Sequence, residues 1–298
     1  MFNQLLLLGT IPLLSLLGAT LETFAKKVPE VLSEVTLKAE VDKRAIPQVQ
    51  EAFGKYSIET PEIFNPSHSA FADNHSDDPK HLTIEKDKKM EAAFVFRIHR
   101  DKDGDRDKVW PEGQERQRNE IKGYQGSPKT MKATQGEVTR YHWYLKIEES
   151  FAVTNKFCHF FQLKPVGGKS ASDPILTLSG TIVRGKPQLE IRWWTKDGSE
   201  RTFVADWQEC KGKWLECECI TRLGAGGSVR FSIGSSDNAI RFNRKISNLA
   251  TWRPDYSFIR PKWGIYRSLT NKEDIPNEED EVRMTNFTIQ KLSAIPNR

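Results

Sequence analysis

The segment Arg260-Pro261-Lys262-Trp263-Gly264-Ile265-Tyr266-Arg267-Ser268 places a cation and a phenol near one another with a glycine between them. Side chains alternate across a strand, so Lys262, Gly264, Tyr266 and Ser268 would share one face while Trp263 and Ile265 pack on the other. A phenol can give or take a proton and an ammonium can hold an anion. The missing side chain of Gly264 would leave room for a bulky polar ligand such as a sugar. An ordinary half-buried strand with Tyr266 packed at an edge would carry the same residues, so other segments have to decide.

In Arg116-Gln117-Arg118-Asn119-Glu120-Ile121-Lys122, alternation puts Arg118, Glu120 and Lys122 on one face. A guanidinium fork matches a carboxylate in a bidentate manner, and Glu120 could hold Arg118 in place for that purpose. A solvated outer face with routine cross-strand ion pairs is the plainer reading. In Phe157-Cys158-His159-Phe160-Phe161-Gln162-Leu163-Lys164, Gln162 and Lys164 share a face, and strict alternation sends His159 to the other. Either a bulge turns His159 back, or it is a packed core histidine. The stretch Tyr141 to Ile147 offers a polar face of His142, Tyr144 and Lys146 against a core face of Tyr141, Trp143, Leu145 and Ile147. Arg97 and His99 share a face at the end of an apolar run. The Asp101-Lys102-Asp103-Gly104-Asp105-Arg106-Asp107 that follows has the alternating carboxylates and central glycine of a calcium loop. The interleaved Lys102 and Arg106, and the lack of a distal Glu, favour a solvated acidic turn.

The elements that must position these residues are strands. After residue 90, short runs of alternating apolar residues recur between Gly, Asp and Asn, which is the pattern of an antiparallel sandwich or barrel and not of βαβ units. The predicted strands are Glu91 to His99, Gln117 to Lys122, Thr139 to Ile147, Lys156 to Lys164, Ile175 to Val183, Gln188 to Thr195, Glu200 to Ala205, Lys213 to Arg222, Ser228 to Gly234, Lys262 to Ser268 and Glu281 to Leu292. Residues 26–89 read as an N-terminal extension with loops, partly packed on the sandwich. Val35 to Val41 alternates like a strand, Gln48 to Phe53 suggests short helix, and Asn65 to Lys89 is loop-like. Residues 90–298 form the main domain, and no internal repeat points to a propeller or solenoid.

Residues 1–25 read as a secretory signal, with an apolar run from Leu5 through Leu17 and small residues before Ala25. Gly9, Pro12 and Gly18 interrupt a stretch already short of the roughly 20 apolar residues that a spanning helix needs. The formal charge of +5 rises by one when Glu22 leaves with the leader, so anionic partners are favoured. No RNA-binding signature or long basic block points to nucleic acid. Sequons at Asn74 and Asn286 fit an extracellular glycoprotein. Cys158, Cys210, Cys217 and Cys219 allow three full pairings, and a bridge from Cys210 to Cys217 or Cys219 is the first to expect. Their spacing, with no nearby His, argues against zinc.

Together the three segments resemble the motif set of the jelly-roll polysaccharide lyases, the group that includes alginate and glucuronan lyases, over about residues 90–292. In alginate lyases the pattern is Arg-x-Glu-Leu-Arg, then Gln-Ile-His, then Tyr-x-Lys-x-Gly-x-Tyr-x-Gln. Arg118 to Lys122 matches the first with Lys for the final Arg. Lys262 to Tyr266 matches the core of the third, with Arg260 for the leading Tyr and Ser268 for the Gln. The middle motif departs, since His159-Phe160-Phe161-Gln162 has His before Gln and one residue further away.

This resemblance implies an all-β antiparallel jelly-roll sandwich with a concave substrate groove. It implies a secreted, monomeric carbon–oxygen lyase that cleaves a uronate-containing acidic polysaccharide by β-elimination. Arg118 and Gln162 would neutralise the sugar carboxylate. Tyr266 would be the acid and a candidate base, with Lys262 favouring its phenolate, and His159 would be the alternative base. Lys262, Glu120, Lys122, Lys164, His99, Arg97, His142 and Tyr144 are the candidate substrate-binding residues. No cofactor or metal ligand is assigned; a structural calcium ion, held by some relatives, is carried as unassigned. Acidic polysaccharide is the expected partner, with no nucleic acid and no membrane after leader removal. The alternative is a non-catalytic carbohydrate-binding sandwich that uses Trp193, Trp194 and Trp252 as stacking platforms and has no need of Tyr266. A glycoside hydrolase would need two carboxylates across the scissile bond, and no Glu-x-Asp-x-x-Glu motif lies on a candidate strand.

Overall fold

Along Val138–Ile147 burial alternates: Tyr141, Trp143, Leu145 and Ile147 are fully buried, while Arg140, His142, Tyr144 and Lys146 are not. The same period of two, repeated through the chain, gives each strand one apolar face to bury, and two sheets packed face to face satisfy it. The computed structural model describes residues 28–61, 81–105, 116–195 and 197–296. Residues Pro29–Ile295 form one compact unit.

One sheet runs in the order β13 (Arg241–Leu249), β12 (Gly227–Ser235), β11 (Trp214–Arg222), β6 (Val138–Ile147), β15 (Glu279–Leu292), β4 (Glu91–His99) and β3 (Leu82–Asp87), with β1 (Val31–Leu37) also paired to β15. The other runs β10 (Gly198–Asp206), β9 (Lys186–Thr195), β8 (Leu176–Val183), β7 (Cys158–Val166), β14 (Phe258–Ser268), β5 (Arg116–Lys122) and β2 (Ile58–Glu59). The strand pairs are antiparallel. The late strands β14 and β15 each insert between strands far earlier in the chain, which is the crossover pattern of a jelly roll. Between the sheets Trp143 stacks on Phe161 at 4.4 Å and Trp263 meets Phe287 edge-on at 5.2 Å. Helix α1 (Ala45–Phe53) inserts Val49 and Phe53 into the same core.

The segment read as an N-terminal extension therefore supplies β1, β2, β3 and α1 to the sandwich. The loop reading of Asn65 to Lys89 is corrected at its end, where Leu82–Asp87 pairs with β4; residues 62–80 lie outside the described residues. Strand β13 escaped prediction because, before Leu249 at its end, its only apolar residues are Phe242 and Ile246, four apart among exposed Arg241, Arg244 and Lys245. That is an edge-strand composition, not a period-two pattern.

The four cysteines are free and buried, so the expected bridge from Cys210, at the end of α2 (Trp207–Cys210), is not formed. Cys217 and Cys219 do share a face, but it is the core face, where burial holds both thiols well above their usual value. Of the two sequons, Asn286 sits at an irregularity of β15 with φ of 54°, and Asn74 lies outside the described residues.

Gly264 does not open space for a ligand. With φ of +134°, a Cβ there would lie 2.1 Å from the Asn119 carbonyl oxygen, 2.8 Å from Glu120 Cα and 3.0 Å from Phe96. The glycine lets β14 approach β5, and Gly264→Ala should cost on the order of 3 kcal/mol through backbone strain and overpacking. Chemical denaturation checks this; an unchanged midpoint would mean that the strands can move apart freely.

Candidate active site

The outer face of the β10-to-β2 sheet is a grid whose rows cross several strands. One row joins Arg118, Tyr266, His159, Ser179 and Glu190 as successive cross-strand partners. The next joins Lys122, Lys262, Gln162, Thr177, Arg192 and Arg201. The rows are four residues apart on β5 and β14, three on β7 and two on β8 and β9, and register shifts between β14 and β7 and between β7 and β8 absorb the difference. The second shift lies between His159 and Phe161. It sends both Phe160 and Phe161 into the core, Phe160 against Trp207 and Phe161 against Trp143. The imidazole of His159 is thereby turned onto the face of Gln162 and Tyr266.

His159 and Tyr266 lie side by side, with ring centroids 6.1 Å apart. His159 Nδ1 is 2.8 Å from Ser179 Oγ, which is itself 2.8 Å from Thr177 Oγ1. With Ser179 donating to Thr177 and accepting from Nδ1–H, the other ring nitrogen, Nε2, carries the lone pair. Burial, reinforced by Arg192, Lys164, Lys262 and Arg118, holds the imidazole well below its ordinary value and therefore neutral. Tyr266 moves the other way: burial pushes the phenol up to about 12 against the pull of Arg118. The expected phenolate is thus corrected to a protonated phenol, because desolvation outweighs the nearby cations.

Arg118 has a different task from the one its sequence suggested. Its Nε and Nη2 donate to Asp105 at 3.1 and 2.9 Å, and its Nη1 to Glu59 at 3.0 Å and Glu120 at 3.3 Å. Its guanidinium carbon lies 4.0 Å from the centre of the Tyr266 ring. Lys262 Nζ is 2.6 Å from both Glu59 and Glu120, and Lys122 donates to Glu59. Gln162 Nε2 donates to Glu120 at 2.6 Å. These groups form a buried cluster in which Arg118, Lys122 and Lys262 face Asp105, Glu59 and Glu120, so Arg118 and Gln162 are committed to internal partners. Glu59, on the two-residue β2, carried no sequence signal beyond being one acid in an ambiguous region.

Cations that face open space lie beside the cluster. A cavity of about 380 Å³ is lined by Arg116, Lys156, Arg192 and Arg201, together with Asn155, Phe157, Ser268 and Thr270. Arg116 Nη1 donates to the Tyr266 hydroxyl at 3.0 Å. Arg192 is oriented by the fully buried Glu190, which accepts from its Nε at 3.1 Å and its Nη2 at 2.9 Å. Phe157 stands two residues before His159, where the Gln-Ile-His pattern has its Gln, and packs 4.7 Å from the His159 ring and 5.1 Å from that of Tyr266. Arg116 was missed because the predicted strand began at Gln117, although alternation would place it on the face of Arg118. Arg192, Arg201 and Lys156 were missed because isolated basic residues on strands or in the bend before β7 look like solvated charges.

Several sequence candidates lie elsewhere. His142 and Tyr144 are on β6 of the opposite sheet, where His142 meets Glu216 at 2.8 Å. Arg97 on β4 pairs with Glu85, Glu279 and Glu281, and His99 meets His81, Asp103 and Glu279. These four are corrected, since alternation assigns a face within a strand but not the sheet to which the strand belongs. Lys164 is on the site's sheet, donates to the Ser172 carbonyl and is lowered to about 8 by burial and Lys262. Trp193 is 5% exposed and packs in the core, which removes it as a stacking platform; Trp252 packs edge-on against Tyr256. In the described part of the acidic loop Asp101 pairs with Arg100 and Lys272, Asp103 with two histidines and Asp105 with Arg118, and Asp107 lies outside the described residues. Those carboxylates point to separate partners, and no oxygen cage forms among the described residues.

No protein-family model matches the chain, and no curated protein matches it in sequence. Solved structures do. A mutant of the alginate lyase Aly36B in complex with alginate trisaccharide matches at 11% identity with a TM-score of 0.53, covering 86% of this chain and 98% of that one. An endo-β-1,4-glucuronan lyase from Trichoderma reesei matches at 13% identity and TM-score 0.48, covering 72% and 89%. An alginate lyase from Klebsiella pneumoniae matches at 11% and 0.46, covering 70% and 84%. At such identities the likeness is one of fold, and the fold is that of the jelly-roll polysaccharide lyases.

The buried cluster makes a direct prediction. Glu59→Gln leaves Lys122 and Lys262 short of a counter-charge and should destabilise the protein by about 3–5 kcal/mol. Urea denaturation reads this, and a loss near zero would show that the cluster relaxes around a missing acid.

Proposed function

We propose that the protein is a secreted, monomeric polysaccharide lyase that cleaves a uronate-containing acidic polysaccharide by β-elimination. The observation that carries this reading is the pairing of a neutral imidazole, His159, with a protonated phenol, Tyr266, next to Arg116 and Phe157 of a cavity lined by four cations. Secretion rests on the leader, which lies outside the described residues.

Elimination breaks the C–H bond next to the sugar carboxylate and the neighbouring bond to the glycosidic oxygen, and forms a carbon–carbon double bond. The proton is weakly acidic while the carboxylate is charged, so cations must neutralise that charge and hold the developing enolate. Arg116 and Arg192 take this role, in place of the committed Arg118 and Gln162. His159 Nε2 takes the proton, and the arriving carboxylate raises the basicity of an imidazole otherwise depressed by cations. Tyr266 gives its proton to the leaving oxygen, and the bond from Arg116 stabilises the phenolate that results. The proton on His159 then returns to Tyr266 through solvent, which closes the cycle. Trp194, on the face of Arg192 and half-buried, is placed to stack on an adjacent sugar.

Ultraviolet absorbance of unsaturated ends, screened over a panel of uronic polymers, tests the activity. No product with any polymer would overturn it. On the active polymer, Tyr266→Phe should lower kcat on the order of a hundredfold to ten-thousandfold with binding retained. Arg192→Ala should lower kcat about a hundredfold to a thousandfold; an unchanged rate would remove it from carboxylate neutralisation.

The pH profile follows from the same two groups. Activity should be flat through neutrality, fall on the acid side only below the ordinary imidazole value of about 6.5, and fall on the alkaline side towards 12. Because the unfolded chain binds the His159 proton first, stability should also decline as pH drops through about 6.5. An acid limb in kcat/KM at 6.5 or above would reject His159 as base.

A further inference from the structure

Two imidazoles and a carboxylate converge at the end of β4, outside the elimination machinery. His81 Nε2 is 2.9 Å from Asp103 Oδ1, and His99 Nδ1 is 3.1 Å from His81 Nε2 and 3.2 Å from Asp103 Oδ2. All three residues are buried, with His81 at 0%, Asp103 at 3% and His99 at 6% exposure. The far nitrogen of His99, Nε2, is 3.0 Å from Glu279 Oε2. A carboxylate only accepts, so Nε2 donates to Glu279, and Nδ1 is the ring nitrogen turned towards His81 and Asp103.

A carboxylate holding the outer nitrogen of a histidine whose inner nitrogen meets other donors is the arrangement that orients metal ligands. Donors bound to one tetrahedral zinc ion at about 2.0–2.2 Å stand about 3.3–3.6 Å from each other. Here the two imidazole nitrogens are 3.1 Å apart, with Asp103 Oδ1 2.9 Å from His81 and Oδ2 3.2 Å from His99, and one donor atom from each residue lies within 4.8 Å of the other two. Two imidazoles select a borderline transition metal over calcium, which takes oxygen cages. We propose that His81 Nε2, His99 Nδ1 and the Asp103 carboxylate form a binding site for a divalent transition metal of the zinc type, oriented by Glu279.

The site has a structural consequence. Asp103 lies on the loop that two residues later supplies Asp105, whose carboxylate forks Arg118, and the Gly104 carbonyl accepts from the Arg118 backbone N–H. The ion would fasten this loop to β4 and so hold the partner of Arg118 in place. The argument rests on donor geometry alone and stands whether or not the chain is a lyase.

The test uses the full chain without an affinity tag. Elemental analysis after dialysis, and zinc titration of chelator-treated protein, should give about one equivalent per chain. Cobalt substitution should give ligand-field absorption bands, and zinc should raise the thermal unfolding midpoint reversibly. Glu279→Ala, at a partly exposed position, should weaken zinc binding about 10–100-fold, and His81→Gln should abolish it. Absence of bound metal, of cobalt bands and of any zinc-dependent shift would overturn the proposal and leave a protonated hydrogen-bond cluster. Equal binding by wild type and His81→Gln would place the metal elsewhere and overturn it too. If His81→Gln does not fold, the Glu279→Ala affinity and the wild-type cobalt spectrum still decide.

Discussion

The whole candidate site depends on one electrostatic constraint: three cations and three carboxylates buried together beneath the sheet's outer surface. Arg118, Lys122 and Lys262 are each 7% exposed or less, and Glu59, Glu120 and Asp105 each 1%. Charges so far from water are tolerable only as a matched set, because the Coulombic gain must offset the desolvation of every member. The match draws on β2, β5, β14 and the loop after β4, so it forms only when those four pieces have come together. What the cluster gives the site is a fixed guanidinium under the Tyr266 ring and a local field that disfavours a proton on His159.

A second constraint is geometric. The row of Arg118, Tyr266 and His159 exists because β7 spends one residue more than β8 and one fewer than β14 between the two rows. That irregularity coincides with Gly264, where the backbone adopts an angle other residues rarely take. Packing needs and site needs agree here: the pair Phe160 and Phe161 fills the core from consecutive positions, and the imidazole that precedes it is displaced onto the working face. The buried aromatic pair and the reactive histidine are thus two outcomes of one local distortion.

Much of this was legible in the amino-acid order. Period-two alternation gave the core faces of β6 and β14 correctly, including the inward Trp263 and Ile265, and the three motif segments do meet on one sheet. The failures have physical causes. Alternation is a property of one strand, so it could not say that β4 and β6, with Arg97, His99, His142 and Tyr144, belong to the opposite sheet. Whether a cation faces solvent, substrate or an internal acid depends on residues far away in sequence. Arg118 therefore looked available when Glu59 and Asp105 had already claimed it, and Arg192 and Arg201 looked ordinary. The β7 irregularity could be posed as a question from the order of His159 and Gln162, but only the register answered it.

The edge strand β13 bears on a different hazard. An open sheet edge offers unpaired backbone groups to any other strand that comes near, and proteins blunt such edges with charge. Arg241, Arg244 and Lys245 stand exposed along this one, where a second copy would have to bring the same three cations into contact with them. Like charges brought face to face oppose edge-to-edge stacking, so the strand that was hardest to recognise from its composition is guarded by that composition against aggregation.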